Sequence, residues 1–234
     1  MKMSQKQKTP QMFDRIAVRY DFLNGLISLG QHNIWRKKMA RMLPDRTNLA
    51  VLDLATGTGD QIITFLKTRK IASIIGLDPS VEMLTIGEGK IAKQFPRSDV
   101  TLVEANAGKI PFQNAEFDVV SMSFGIRNVP DVQQVLIETW RVLKPGGRLL
   151  ILEASTPQNS FFRFFNDLYL TLIVNKLAGL LAGNSEAYSY LNNSIKAFPS
   201  GEVFLNKLRT VGFSQVLMKP LMVGSVTIYQ ADKL

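Results

Sequence analysis

Between residues 49 and 154 the chain alternates two apolar rhythms. Short continuous apolar runs at 49–55, 73–78, 100–104, 117–123 and 147–154 have the length of buried strands. Between them, 60–69, 80–93 and 131–143 repeat apolar residues at helical spacing. Such alternation predicts an α/β fold, a parallel sheet with helices on both faces. Lys144-Pro145-Gly146-Gly147 reads as a helix stop and a tight turn into the last of these strands. Nearer the end, Glu202 to Val211 reads as a helix stopped at Gly212. Phe213 to Leu217 and Val226 to Gln230 read as two strands, joined by a short connection that contains Lys219-Pro220 and Gly224. That link predicts an antiparallel hairpin closing an otherwise parallel sheet.

The flanks follow other patterns. Residues 1 to 11 read as disordered. Met12 to Leu29 has helical spacing, broken around Asn24-Gly25 and Gly30, and a second helix from Asn33 to Leu43 ends before Pro44. These N-terminal helices, 12–43, form an appendage over the carboxyl edge of the sheet. Phe161 to Gly183 is strongly apolar but interrupted by Arg163, Asp167, Asn175 and Lys176, which argues against a membrane span. Arg163, Asp167, Thr171 and Asn175 fall at steps of four and make one narrow polar stripe. Two readings stay open: a helix buried in the core, or a lid, within an insertion at 158–198, that lines an apolar substrate pocket and touches a membrane. At 234 residues the chain reads as a single domain, 1–234.

Composition narrows the chemistry. There is no cysteine and one histidine, so disulfides, thiolate chemistry and multi-histidine metal centres are excluded, and no metal is expected. The first fifty residues hold ten Lys or Arg against three Asp, +7 of the net +9. A basic face of that kind meets nucleic acid or anionic lipid. No RNA-binding motif accompanies it, so lipid is favoured over nucleic acid, with a merely solvated face as the alternative. The polar first fifteen residues lack the apolar core of a signal peptide, and neither they nor a transit-like composition argues for export or import. The expected location is the cytoplasm, with peripheral contact at the inner face of the cytoplasmic membrane.

The chemistry starts at V-L-D-L-A-T-G-T-G-D, Val51 to Asp60, where strand character stops at glycines and a helix pattern restarts with Ile62, Ile63, Phe65 and Leu66. This is a loop where backbone approaches a ligand closely, with no side chain at Gly57 or Gly59 to obstruct it. Asp78 ends the next apolar run, eighteen residues past Asp60, and can accept hydrogen bonds from both hydroxyls of a ribose. With Asp53 these positions specify a nucleoside-bearing cofactor, although one of Asp53 and Asp60 reads equally well as a cap or turn residue. The dinucleotide fingerprint needs glycine where this chain has Ile62, and Asp60 would repel a pyrophosphate. S-adenosylmethionine, which has none, fits better. Asn106 follows the third strand and could read an adenine beside the backbone N–H of Ala107. Ser123 brings the fourth strand to the same edge, and Phe124-Gly125-Ile126-Arg127-Asn128 continues from cofactor to substrate.

The blocks R-Y-D-F-L-N, S-L-G-Q-H-N-I-W-R, V-L-D-L-A-T-G-T-G-D, A-N-A-G-K-I-P-F, S-F-G-I-R-N-V, R-V-L-K-P-G-G-R-L-L-I-L-E and Y-S-Y-L-N-N-S-I-K-A-F-P span most of the chain. Together they resemble the quinone C-methyltransferase family of menaquinone and ubiquinone biosynthesis, the demethylmenaquinone methyltransferases. The resemblance implies a Rossmann-like, seven-stranded class I S-adenosylmethionine-dependent methyltransferase sheet. It implies cofactor contacts at Thr58, Asp78, Asn106, Ala107 and Ser123. Thr56 departs from it, since the family usually has glycine there, and a β-carbon narrows the loop conformations available.

The implied reaction moves the sulfonium methyl to a ring carbon of a polyprenyl quinol, most simply demethylmenaquinol to menaquinol. It calls for the reduced ring, because loss of a hydroxyl proton pushes electron density onto the neighbouring carbon. Arg127 is the candidate to stabilise the oxyanion electrostatically. The proton acceptor is His32, Asp21, Tyr20 or a water. Arg127, Asn128, Phe165, Tyr188 and Tyr190 are the candidates for holding the acceptor. Benzoquinol methylation in ubiquinone biosynthesis, another lipidic acceptor, and an inactive subunit of a membrane biosynthetic complex stay open as alternatives, as does a homodimer.

Overall fold

The computed structural model describes residues 9–180 and 185–234, with backbone alone over 173–180 and 185–189. The chain opens with two helices, α1 (Thr9–Ile27) and α2 (His32–Ala40). Alternation follows: β1 (Ala50–Leu54), α3 (Asp60–Thr68), β2 (Ser73–Asp78), α4 (Val81–Gln94), β3 (Val100–Glu104), β4 (Phe117–Ser123), α5 (Val132–Val142) and β5 (Leu143–Ala154). Then come α6 (Ser160–Leu180), α7 (Ser185–Ala197), α8 (Glu202–Val211), β6 (Ser214–Leu221) and β7 (Val226–Asp232). Among the described residues the strands form one seven-stranded sheet in the order β3-β2-β1-β4-β5-β7-β6. β1 pairs with β2 on one side and β4 on the other, both parallel. The order therefore reverses at β1 and β4, which is where open α/β sheets bind ligands, outside the carboxyl ends of the strands.

The pleat sends alternate β1 residues to opposite faces. Leu52 and Leu54 join a core built with α5 and α8. Val51 joins the other, with Ile62 and Phe65 of α3 and Trp35 and Met39 of α2. Side chains this size contribute roughly 1.5–3 kcal/mol each when fully buried. α2 is thus a core element, whereas α1 lies over the carboxyl edge against α4. The helices start and stop where the chain supplies caps: Ser80 accepts from the Met83 N–H at 3.2 Å, Asp131 from the Gln134 N–H at 3.1 Å, and Gly212 ends α8 in the left-handed region.

Several expectations need correction. Residues 9–11 belong to α1, and α1 runs through Asn24-Gly25 unbroken. The Asn24 carbonyl accepts both the backbone N–H and the hydroxyl of Ser28. Those bonds, with packing on α4, outweigh the roughly 1 kcal/mol that a helical glycine costs. Lys219-Pro220 lies within β6 rather than in the connection, which is Met222–Gly224. β6 is an edge strand, where the missing N–H of proline is tolerated. The antiparallel hairpin itself is as expected: β7 pairs antiparallel with both β5 and β6 and is, among the described residues, the one reversed strand. Residues 1–8 lie outside the description.

Over the side chains described, which run to Leu172, the core reading of the apolar helix is also overturned; the side chains of Asn175 and Lys176 lie outside the described residues. α6 leaves Phe161, Phe162, Phe164, Phe165, Leu168 and Leu172 exposed. Its polar stripe works locally: Arg163 donates to the carbonyls of Pro157 and Gln158, and Thr171 to that of Asp167. Among the described residues no helix is long and apolar enough to cross a membrane.

Candidate active site

The glycine loop leaves β1 under two buried carboxylates. Gly57 has φ +55° and open space where a side chain would be. Gly59 has φ +77°, and a β-carbon there would lie 2.9 Å from Ile91 Cδ1. The Gly57 N–H donates to Asp78 Oδ2 at 2.9 Å, and the Ser80 N–H to Asp78 Oδ1 at 2.9 Å. Loop and β2 are thereby fixed to one another. A carboxylate has about four lone-pair sites, so each oxygen keeps one free for a ligand hydroxyl. Burial raises the Asp78 carboxyl to about 6 despite those bonds.

Asp53 works below the loop. Its oxygens accept from Thr56 Oγ1 at 2.8 Å and Ser121 Oγ at 2.6 Å, and burial raises it to about 6 as well. It lines neither of the two chambers that open along the carboxyl edge, and its bonds position the loop. Thr56, the departure from the family's glycine, supplies one of those bonds. Its side chain braces the loop from beneath.

Two chambers open along the carboxyl edge. The smaller, about 410 Å³, is lined by Gly57, Asp78, Asn106, Ala107, Ser123 and Gly125, and roofed by Phe13 and Tyr20 of α1. Asn106 Oδ1 is held by the Gly108 N–H at 2.8 Å, and the Ser123 hydroxyl donates to Gln61 Oε1 at 3.2 Å. Thr58 is elsewhere. Its hydroxyl donates to Asp21 at 2.6 Å, behind the loop. Lys90 completes that cluster, 2.6 Å from Asp21 Oδ2 and 2.5 Å from Asp60 Oδ1. Asp21 is therefore a tether between α1, α3 and α4, sharing the one lysine with Asp60.

The larger chamber, about 640 Å³, lies between α1, α2, the 124–128 turn, α6 and α7. It shares Phe13, Tyr20, Phe124 and Asn128 with the smaller one, so the two adjoin. Arg127 lines it, but not as a free cation. Its guanidinium pairs with Glu153, which is wholly buried at the end of β5, and donates to the Phe124 carbonyl at 2.9 Å. The Arg127 backbone N–H also donates to Glu153 Oε2 at 3.2 Å. Its Nε is buried without a hydrogen-bond partner. The expected oxyanion stabiliser is largely neutralised by a carboxylate that the sequence reading missed.

His32 is buried on the same wall, with Nδ1 2.7 Å from the Ser28 hydroxyl. Burial first, and the neighbouring Arg36 second, hold its pKa below the ordinary imidazole value, so it is neutral near pH 7. Tyr20 is shifted the other way by burial and keeps its proton. His32 is thus the better placed of the candidate bases. Tyr190 donates to Asn128 Oδ1 at 3.2 Å and accepts from Thr9 Oγ1 at 3.2 Å, closing the wall between the chambers. From α6 the lining residues are Asn166, Tyr169 and Leu170. Phe165 instead stacks edge-on with Phe161, 4.9 Å away, outside the chamber. The Tyr188 side chain lies outside the described residues.

Glu153, Lys90, Arg36 and Ser28 are the site residues missed in the sequence. Glu153 alone left a signal: L-I-L-E ends an apolar strand in an acid, as I-G-L-D does at Asp78.

Residues 1–233 match the ubiE/COQ5 methyltransferase family. The chain is 38% identical over 227 residues to a demethylmenaquinone methyltransferase of Bacteroides fragilis, covering 97% of this chain and 93% of that one. It is 38% identical over 234 residues to a ubiquinone/menaquinone biosynthesis C-methyltransferase of Geotalea daltonii, covering 99% of each. Among solved structures it resembles a chain of the complex between the Haloferax volcanii Trm112 methyltransferase activator and a methyltransferase. There the TM-score is 0.69 at 17% identity over 94% of this chain and 96% of that one, a likeness of fold.

Proposed function

The chain belongs to the ubiE/COQ5 methyltransferase family, and on that premise we propose that it methylates a ring carbon of a polyprenyl quinol, demethylmenaquinol to menaquinol. S-adenosylmethionine, when bound, supplies a methyl already activated by its sulfonium. The observation that carries the reading is the pair of adjoining chambers, one on the glycine loop and Asp78, the other apolar and larger.

The residues of the smaller chamber suit the cofactor. Asp78, held by two backbone N–H groups, offers its remaining lone pairs to the ribose hydroxyls. Asn106 and Ala107 frame the adenine. Gly57 leaves room for the chain leading to the sulfur. In the larger chamber, neutral His32 takes the ring hydroxyl proton, with Ser28 fixing the ring. Arg127 Nε offers one N–H to the acceptor, and Tyr190 and Asn128 set its orientation. The walls exclude water and hold the ring carbon against the donor, positioning that supplies about 7–11 kcal/mol in favourable cases.

The chain works as one unit in this reading, with α6 and α7 as an acceptor-side lid over the chamber. The lid and α1 also meet the membrane surface from which a polyprenyl acceptor must come. Phe161, Phe164 and Phe165 of α6 and Phe22 of α1 are exposed, and the exposed Arg15 and Arg19 line the same chamber. Apolar area with basic residues beside it favours anionic bilayers.

The test is methyl transfer from labelled donor to lipid extracts, with reduced and oxidised acceptor side by side and the product identified by mass. Label on the reduced naphthoquinol alone is expected. A labelled benzoquinol would move the activity to the ubiquinone branch. Equal labelling of oxidised and reduced ring would sink the quinol mechanism.

A further inference from the structure

Arg36, on α2 one turn beyond His32, is 5% exposed and lines the larger chamber. Its guanidinium carbon lies 5.6 Å from the centre of the Phe124 ring, a cation–π contact. Its Nε is buried without a hydrogen-bond partner, and no carboxylate among the described residues forms a direct ion pair with it, although its charge helps hold the Asp60 carboxyl below its ordinary value. A buried cation without a direct ion-pair partner is costly to hold in place. Its neighbours are treated differently: Arg127 has Glu153, and Lys90 has Asp21 and Asp60. Phe124, on which it stacks, lines both chambers, so the guanidinium stands at their junction.

We propose that Arg36 is the anion receptor of this site, a binding residue whose counter-ion is an oxyanion carried by a bound ligand. The inference rests on the cofactor and acceptor proposed above, and two groups offer the chemistry. One is the amino-acid carboxylate of a cofactor whose adenosine lies at Asp78 and Asn106. The other is the ring oxygen of the acceptor, once its proton has passed to His32. Either completes the pairing that the folded chain leaves open. The buried cation left for a ligand is then Arg36, whereas Arg127 is paired with Glu153 and the chamber's Arg15 and Arg19 are exposed.

Calorimetry with S-adenosylhomocysteine and with 5′-methylthioadenosine, which lacks the carboxylate, separates the two sources. In Arg36→Met the first ligand should bind roughly 10- to 100-fold more weakly, the loss of one or two charged hydrogen bonds, while the second binds as before. That result assigns the carboxylate. If both affinities hold, turnover of a short-chain quinol at saturating cofactor should fall by a comparable factor and recover in part in Arg36→Lys, which assigns the ring oxygen. In either case the unliganded Arg36→Met protein should melt close to wild type, since no direct ion pair goes with the guanidinium and its Nε has no hydrogen bond to lose. Two results overturn the proposal: ligand preference and turnover both within twofold of wild type, or equal loss of both ligands together with a lower melting temperature. Wild-type protein that binds neither ligand would instead sink the cofactor reading itself, and this proposal with it.

Discussion

The two chambers share a wall of Phe13, Tyr20, Phe124 and Asn128, yet they are held together by different means. The smaller is fastened by sheet and backbone. Asp78 ties loop to β2, and Asp53 ties loop to β4 through Ser121. Most of the larger one is walled by helices outside the doubly wound core, joined to each other by single side-chain contacts such as Tyr169 to the Ile27 carbonyl at 2.9 Å. The difference teaches where rigidity is invested. The half that must hold a fixed cofactor is built on the sheet, and the half that must admit a long apolar acceptor is built from parts that can separate. One buried ion pair, Arg127 with Glu153, fastens the 124–128 turn at the chambers' shared wall to β5.

Breaking that anchor should have the largest effect. Glu153→Gln leaves the Arg127 guanidinium buried beside a neutral amide, and should lower unfolding stability by about 3–5 kcal/mol in denaturant titrations. The double variant with Arg127→Met should recover much of it, because no uncompensated charge remains. If the single variant is as stable as wild type, the ion pair is not what holds the 124–128 turn to the sheet.

Next comes the fastened half. Asp78→Ala should weaken S-adenosylhomocysteine binding roughly 100-fold or more, since two ligand bonds to a charged acceptor go at once and the Gly57 N–H is orphaned. The same bonds give a pH signature. Asp78 titrates near 6 in the unliganded protein, and the ligand hydroxyls need its ionised form. Affinity should be level above about pH 7 and fall as pH drops through 6. The unliganded fold shows the opposite sign. Asp53 and Asp78 bind protons more tightly folded than unfolded, with carboxyls raised from 3.8 to about 6. Their contribution to stability is full below 3.8 and is lost as pH rises through 6.

The two halves also differed in how far they could be read from the sequence. The fastened half was legible because its chemistry is local: Gly57 and Gly59 follow β1 directly, and Asp78 ends the next strand. What the spacing did not give was direction: the Thr58 hydroxyl points back to Asp21, and Asp53 lies beneath the loop, held to Thr56. The helical half was legible only as amphipathic or apolar segments. Nothing in the periodicity of α6 told that Leu170 faces the chamber while Phe165 faces away. The partner of Arg127 depends on strand register: β4 beside β5, with Ser123 opposite Leu152, brings Glu153 under the 124–128 turn. Long-range pairing of that kind is not written in spacing.

A smaller effect is expected at the latch between the halves. Lys90 draws Asp21 of α1 to Asp60 of α3, but it is a quarter exposed and Asp21 more so, so screening leaves such pairs about 1 kcal/mol or less. Lys90→Met should hardly move the melting temperature. It should speed amide exchange along α1 relative to the sheet, and weaken cofactor binding a few-fold by loosening the roof that Phe13 and Tyr20 provide. Exchange in α1 matching wild type would mean that α1 is held by its apolar contacts alone.

The smallest effect in solution should be on the outer face of α6. Phe164 and Phe165 are 64% and 50% exposed and touch each other instead of the chamber. Replacing both with serine removes little that is buried, and surface changes of this kind alter stability by about 0.5 kcal/mol or less. Turnover of a short-chain, water-soluble quinol should therefore be unchanged, because Tyr169 and Leu170 still line the wall. With a long-chain acceptor embedded in anionic vesicles the same protein should lose both vesicle co-sedimentation and turnover, since each exposed ring contributes its apolar area only when a bilayer covers it. A loss that appears equally with the soluble quinol would make the aromatic face part of the chamber's own packing, and the contrast between a fixed half and a lipid-facing half would fail at that point.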